Sequence, residues 1–175
     1  MAATTWHIDA GHSQIGFKVK HLGIASVNGV FKNFSGNMVS EEHGFDQAAV
    51  RFSIDVNTID TNNAQRDEHL RSELFFHATR FPAILFSGKL VQHEDEFQLV
   101  GDMTILETTK PITLDVQFTG AGTGRFGEKR AGFEVSGKIK RKDFGLNFHL
   151  LNEAGDLVVG EEVKFSGDIE LLQQR

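Results

Sequence analysis

Residues 112–119 read Ile-Thr-Leu-Asp-Val-Gln-Phe-Thr, and this alternation of apolar and polar side chains decides the fold class. Successive side chains of a strand point to opposite faces, so this stretch has one dry face and one wet face. Five further segments show the same period of two: 15–19, 50–56, 97–105, 133–139 and 163–171. Segments near 27–39 and 84–91 show it more weakly, which brings the total to roughly eight strands.

One dry and one wet face per strand is typical of antiparallel sheets, because buried parallel strands read as continuous apolar runs. A closed barrel and a two-sheet sandwich both explain the alternation. The stretch RDEHLRSELFF, residues 66–76, favours the barrel, because a short charged helix among strands would guard a barrel mouth. We therefore predict an all-β fold, a single eight-stranded antiparallel barrel with a short charged helix around residues 63–74.

The predicted helix has a readable start. Asn62 is the expected N-cap, with Gln65 three residues later in the capping-box position. Asp67 and Arg71 are four residues apart and are expected to pair along the exposed face.

Length and charge limit the function. The 175 residues contain no linker or repeat, which predicts one domain spanning residues 1–175. A net charge of −6 and the lack of a basic stripe argue against nucleic-acid binding. No apolar run is long enough to span a membrane, so we do not expect an integral membrane protein. The N-terminal residues lack a basic and an apolar signal region, so we expect a cytoplasmic protein, or a periplasmic one if a leader was removed.

The aromatic residues predict a dry interior: the chain has 16 phenylalanines and no tyrosine. An eight-stranded barrel is just wide enough to be filled by side chains or to hold one small ligand. Glycines in the inward phase, at 88, 101, 137 and 167, are expected to leave room. Ten apolar residues hold the dry phase and are predicted to line the bore: Phe17, Val19, Phe52, Ile54, Phe86, Phe97, Leu114, Val116, Phe133 and Phe165.

Catalytic patterns are weak. The sequence has no cysteine, no HExxH, no nucleophile elbow and no phosphate-binding loop followed by a helix. A zinc site built from His7, His12 and His69 stays open as an alternative, although lone histidines at strand ends are more often structural. We predict a protein without catalytic activity and without a cofactor.

Several motifs resemble the YceI-like family along nearly the whole chain. The opening Trp-His-Ile-Asp at 6–9 with His-Ser-Gln-Ile-Gly-Phe at 12–17 resembles its first part, and 27–36 its second strand. The central match comprises Ile-Asp-Thr-Asn-Asn at 59–63, Arg-Asp-Glu-His-Leu at 66–70 and the aromatic pairs that follow. Arg-Lys-Asp-Phe-Gly at 141–145 and Val-Gly-Glu-Glu-Val at 159–163 resemble its C-terminal part.

The resemblance implies a lipocalin-like barrel that binds a polyisoprenoid lipid in its bore and forms homodimers. It implies Arg66, His69 and Arg141 as a polar mouth that meets the lipid head group, whereas the residues alone equally allow these side chains to be structural ties. Leu106 and Glu107 replace the His-Gly that the family usually has in this turn, which puts any role of that histidine in doubt.

Burial of an isoprenoid tail suits such a site. Each CH₂ removed from water contributes about 0.8 kcal/mol, so a tail of about twenty carbons exceeds the ~4–15 kcal/mol cost of association. We expect storage or transport of an isoprenoid quinone or a polyprenyl phosphate. The alternatives are a metal-dependent enzyme that uses His7, His12 or His69, and a filled-core, stress-related structural module without a ligand.

Overall fold

The computed structural model describes residues 3–41, 43–146 and 159–174. Within them lie one α-helix, α1 (Ala64–Arg71), and short 3₁₀ turns at Ala10–His12, Val56–Thr58 and Arg141–Phe144. The strands are β1 (Thr4–Ile8), β2 (Gln14–His21), β3 (Ala25–Phe31), β4 (Phe34–Ser40), β5 (Ala48–Asp55), β6 (Ile59–Asp60), β7 (Ala83–His93), β8 (Glu96–Ile105), β9 (Thr108–Thr123), β10 (Lys129–Lys140) and β11 (Val159–Gln173).

The strand segments form a closed antiparallel barrel of eight strands. Three barrel strands each consist of two consecutive segments: β1 with β2, β3 with β4, and β5 with β6. The pairings show this, because β1 and β2 both pair with β11. In the same way, β4 pairs with β1 and β5, and β3 pairs with β2 and β6. The other five barrel strands are single segments joined in sequence order, and the pairing of β11 with β1 and β2 closes the ring. The predicted barrel is confirmed, and the sandwich is excluded because the ring of pairs is continuous.

The dry phase of the strands faces the interior. Register places Phe165 opposite Phe17, and Phe133 opposite Phe118. All ten predicted bore residues are buried or half-buried, and nine of them belong to one hydrophobic cluster or pack directly against it. The tenth, Val19, borders internal cavities described below. The alternation therefore assigned the inward side of each strand correctly.

The N-cap of helix α1 lies one residue later in the chain than predicted. Asn63 is the N-cap: its backbone is extended, and its side chain accepts a hydrogen bond from the Arg66 N–H at 3.0 Å. The predicted cap, Asn62, is wrong because its φ of 65° is left-handed, whereas a cap residue needs an extended backbone. The helix also ends at Arg71, before the predicted residue 74, where the Ser72 N–H donates back to the His69 carbonyl.

Asp67 faces the barrel, so its predicted pairing with Arg71 is wrong. Its carboxylate is buried and accepts hydrogen bonds from both the backbone N–H and the hydroxyl of Thr61, just after β6. This contact ties α1 to the preceding strand. No helix in the described part of the chain is long and apolar enough to cross a membrane.

Three of the four inward glycines do not open the bore. Gly88 and Gly101 lie opposite each other, and a Cβ on either would come within 2.9 Å of the Phe86 ring. A Cβ on Gly137 would collide with a methyl group of Leu114. The prediction that these positions leave room is wrong, because the facing backbone and the Phe86 ring crowd Gly88 and Gly101, and Leu114 occupies the space beside Gly137.

Candidate functional site

A deep cavity of about 110 Å³ lies inside the barrel. Its lining is mainly aliphatic and aromatic, and Gly167 borders it, as the sequence predicted for that glycine. Six of the predicted bore residues line it: Phe52, Ile54, Leu114, Val116, Phe133 and Phe165. The barrel core is therefore not fully packed.

A second, middle cavity of about 70 Å³ adjoins the first. Phe17 and Val19 line it, and Phe165 belongs to the lining of both cavities. Leu70 from α1 and Phe75, just after the helix, close its other side. Phe165 is therefore the side chain that the linings of the two interior spaces have in common.

A third space, the mouth pocket, measures about 480 Å³ and lies between β2, β3 and α1. It shares Phe17, Val19, Leu70, Phe75 and Val159 with the middle cavity. Neighbouring spaces share lining residues, so the three lie one after another from the mouth to the barrel interior, and we call this series of spaces the track.

Phe86 and Phe97, the remaining predicted bore residues, support this track without lining it. Phe86 stacks on Phe52 with ring centroids 4.9 Å apart, and Phe97 meets the Phe133 ring edge-on at 6.4 Å. Both are buried, so they hold the lining rings in position.

Arg66 and His69, predicted at the mouth, both line the mouth pocket. The Arg66 Nε–H donates to the Thr61 hydroxyl oxygen at 2.7 Å, and Nη2 donates to the Thr61 carbonyl at 2.6 Å. The His69 ring meets the Phe75 ring edge-on at 5.0 Å. Thr61 thus connects the Arg66 guanidinium with the buried Asp67 carboxylate, and this network orients the arginine.

Arg141, the third predicted mouth residue, lines the middle cavity and is absent from the lining of the mouth pocket. Its buried guanidinium donates to the carbonyls of Gly160 at 2.7 Å, Leu146 at 3.0 Å and Val159 at 3.2 Å. Burial lowers the pKa of Arg141, and the nearby Glu161 charge opposes that shift. Arg141 therefore joins the start of β11 to the chain that follows β10, at the same end of the barrel as Arg66.

Sequence reasoning missed two basic residues of the mouth pocket, Lys20 and His21. His21 continues the inward phase of Phe17 and Val19, so the alternation of β2 contained a signal for it. Lys20 holds the outward phase of β2, so the alternation contained no signal for its place in the pocket lining.

The three histidines of the alternative zinc site do not meet. His7 pairs with Leu172 near the end of β11, whereas the mouth pocket of His69 is bordered by Val159 at its start. The strand between these positions is about 40 Å long at about 3.3 Å per residue. His7 Nε2 lies 2.8 Å from Gln174 Oε1, which gives this side chain a structural partner.

His12 belongs to a charged cluster near the end of β11, away from the mouth pocket at the start of that strand. Its Nδ1 lies 2.8 Å from Asp9 Oδ2, and Glu170 is near enough for the three to hold a metal ion. However, Arg130 already donates to Asp9 at 2.7 Å and to Glu170 at 2.8 Å. The Arg130 hydrogen bond, followed by that of His12, lowers the pKa of Asp9. The cluster joins β1, β10 and β11 where the barrel closes, and a guanidinium holds the place that a cation would need.

Comparison with known proteins identifies the family. A YceI-like domain model matches residues 6–171, so the chain belongs to the YceI-like family. Protein YceI of Salmonella arizonae is 40% identical over 140 residues, which are 79% of this chain and 73% of that protein. The resemblance inferred from the motifs is confirmed.

Solved structures show the same fold. A YCEI protein of Campylobacter jejuni matches with a TM-score of 0.74 and 29% identity, over 95% of this chain and 96% of that one. A polyisoprenoid binding domain from Saccharophagus degradans matches with a TM-score of 0.71 and 16% identity, over 97% of this chain and 98% of that one.

Proposed function

We propose that this YceI-like protein binds a long-chain polyisoprenoid lipid, with the tail in the barrel and the head group at the mouth, and that it stores or carries the lipid without changing it chemically. The observation that carries the proposal is the track of three spaces with shared walls. Its inner part is apolar, and its outer part contains the polar side chains of α1. A related fold described as a polyisoprenoid binding domain supports the same ligand class.

The dimensions of the track indicate how a tail would enter. Ligand pockets usually measure about 300–1,000 Å³, and the mouth pocket falls in that range whereas the two inner cavities do not. An apolar cavity of about 150 Å³ accommodates a molecule such as benzene. A tail too long for either inner cavity alone would therefore pass Phe165, the side chain that lines both, and occupy both cavities.

The deep cavity argues against the filled-core structural module, because side chains do not fill this part of the interior. A cavity destabilises a protein by about 24 cal/mol per Å³, so leaving about 110 Å³ empty costs about 2.6 kcal/mol. A bound tail would offset that cost. Non-catalytic binding is further supported by the separation of His7 and His12 from His69, because the three histidines are too far apart to bind one zinc ion together.

Native mass spectrometry of the purified protein, followed by lipid extraction, tests the proposal. We expect an adduct with the mass of an isoprenoid lipid, or uptake of an added polyprenol after delipidation. Failure to retain or take up any isoprenoid would refute the proposed function. Homodimer formation and a cytoplasmic location stay predictions, which sedimentation and cell fractionation would test.

A further inference from the structure

We propose that the mouth pocket selects lipids with an anionic head group, such as a phosphate, over neutral lipids such as quinones or alcohols. This inference rests on the proposed lipid binding and concerns only the head group. It follows from the charges around the pocket, from the orientation of Arg66 and from the position of Lys20.

The mouth pocket is basic in an acidic protein. Across the chain, 24 acidic residues outnumber 18 lysines and arginines. The pocket lining nevertheless contains Lys20, Arg66 and two histidines, and no aspartate or glutamate. A concave site lined by one sign of charge concentrates ligands of the opposite sign.

The two permanent cations of the pocket have no carboxylate partner among the described residues. Ion pairs in that part of the chain use four other cations: His12, Lys32, Arg130 and Lys138. Asp67 is buried, accepts its hydrogen bonds from Thr61, and does not line the pocket. Neither Lys20 nor Arg66 therefore forms an ion pair in that part of the chain, which leaves both side chains available to an anionic ligand.

Arg66 is held in position before a ligand arrives. Its two hydrogen bonds to Thr61 use two of the five guanidinium N–H groups and leave three for a ligand. Arginine and lysine donors form shorter and stronger hydrogen bonds with phosphate oxygens than with neutral acceptors. A phosphate would gain from both side chains, whereas a quinone carbonyl carries no charge to attract them.

The head group would sit where the apolar track begins. Phe17, Val19 and Leu70 line both the mouth pocket and the middle cavity. A lipid whose phosphate meets Lys20 and Arg66 can therefore direct its tail past these residues towards Phe165. The same anion chemistry could come from free phosphate, but free phosphate would leave the apolar part of the track unused.

Binding of a polyprenyl phosphate, of the polyprenol of equal chain length and of inorganic phosphate tests the inference. We expect the wild-type protein to bind the lipid phosphate at least about tenfold more tightly than the alcohol, as one charge-assisted contact implies. The double variant Lys20→Gln/Arg66→Gln should reduce the ratio to about one. Lys20→Gln alone retains the Arg66–Thr61 contacts and should lower the ratio without altering the melting temperature.

Lys18→Gln/Arg71→Gln is the matched control. It removes the same two charges from β2 and α1, at side chains that do not line the mouth pocket, and should keep the full preference. Equal affinity of the wild type for both lipids would overturn the anionic head group and leave lipid binding intact. Inorganic phosphate bound as tightly as the lipid phosphate would also overturn it. If polyprenol itself did not bind, the proposed function would fail instead.

Discussion

Replacing Gly167 by valine is expected to stabilise the barrel and to weaken lipid uptake, because the new side chain enters the deep cavity. A Cβ at this position would have Ile169 Cδ1 at 3.5 Å as its nearest neighbour, which is an ordinary contact. The two methyl groups beyond it would extend into the space that Gly167 borders. Strand β11 therefore accepts the change without displacing its neighbours.

Two estimates of the gain agree. Three added carbon atoms at about 0.8 kcal/mol each give about 2.4 kcal/mol. The empty cavity of about 110 Å³ costs about 2.6 kcal/mol at about 24 cal/mol per Å³. For a protein of this size, about 2 kcal/mol corresponds to a rise of about 4–8 °C in melting temperature. The valine side chain should occupy space that an isoprenoid tail would otherwise use, so lipid uptake should fall.

Gly122→Val is the matched control. A Cβ on Gly122 has nothing within 4 Å and faces solvent, so valine there gains at most the strand preference of about 1 kcal/mol. Calorimetry of the delipidated variants and uptake of a labelled polyprenol measure both effects. If Gly167→Val melted no higher than Gly122→Val, or took up polyprenol as well as the wild type, the cavity would not be the binding space.

Three further changes test the remaining structural roles. Asp9 has a lowered pKa in the folded protein, so its stabilising contribution is present above pH ~4 and is lost as the pH falls further. Because the Arg130 hydrogen bond is the main cause of this shift, Arg130→Gln should lower the melting temperature at pH 7. The same change should make the melting temperature depend less on pH in the acid range. Arg141→Met removes the donors to three backbone carbonyls and should reduce the free energy of unfolding by about 2–3 kcal/mol in a denaturant titration. The preference between phosphate and alcohol lipids should stay unchanged. A changed preference would instead restore Arg141 to the head-group site. Leu22 has a left-handed φ of 55° in the turn closed by the hydrogen bond from the Ile24 N–H to the His21 carbonyl. Asparagine tolerates this backbone conformation better than leucine, so Leu22→Asn should raise the free energy of unfolding by about 1 kcal/mol. An unchanged denaturation midpoint would contradict this.

Local pattern was sufficient for the strands because the side-chain period of two depends only on the extended backbone. Residues 112–119 identify the inward side of β9 without knowledge of its partners, and Phe133 and Phe165 follow by the same rule. The helix start was less predictable. Asn62 and Asn63 are both suitable capping residues, and the choice depends on a backbone angle that the preceding turn imposes.

The sequence by itself determined the antiparallel barrel class, the dry interior and the placement of Arg66 and His69 on one helix face. Tertiary structure alone decided which glycine borders a cavity, because the facing backbone and Phe86 crowd Gly88 and Gly101, whereas a Cβ on Gly167 would meet only ordinary contacts. It also decided that Arg141 binds backbone carbonyls and that Lys20 joins the mouth pocket. The physical reason is that periodicity specifies the side of a strand, whereas cavities and charge partners depend on how side chains from distant strands pack together.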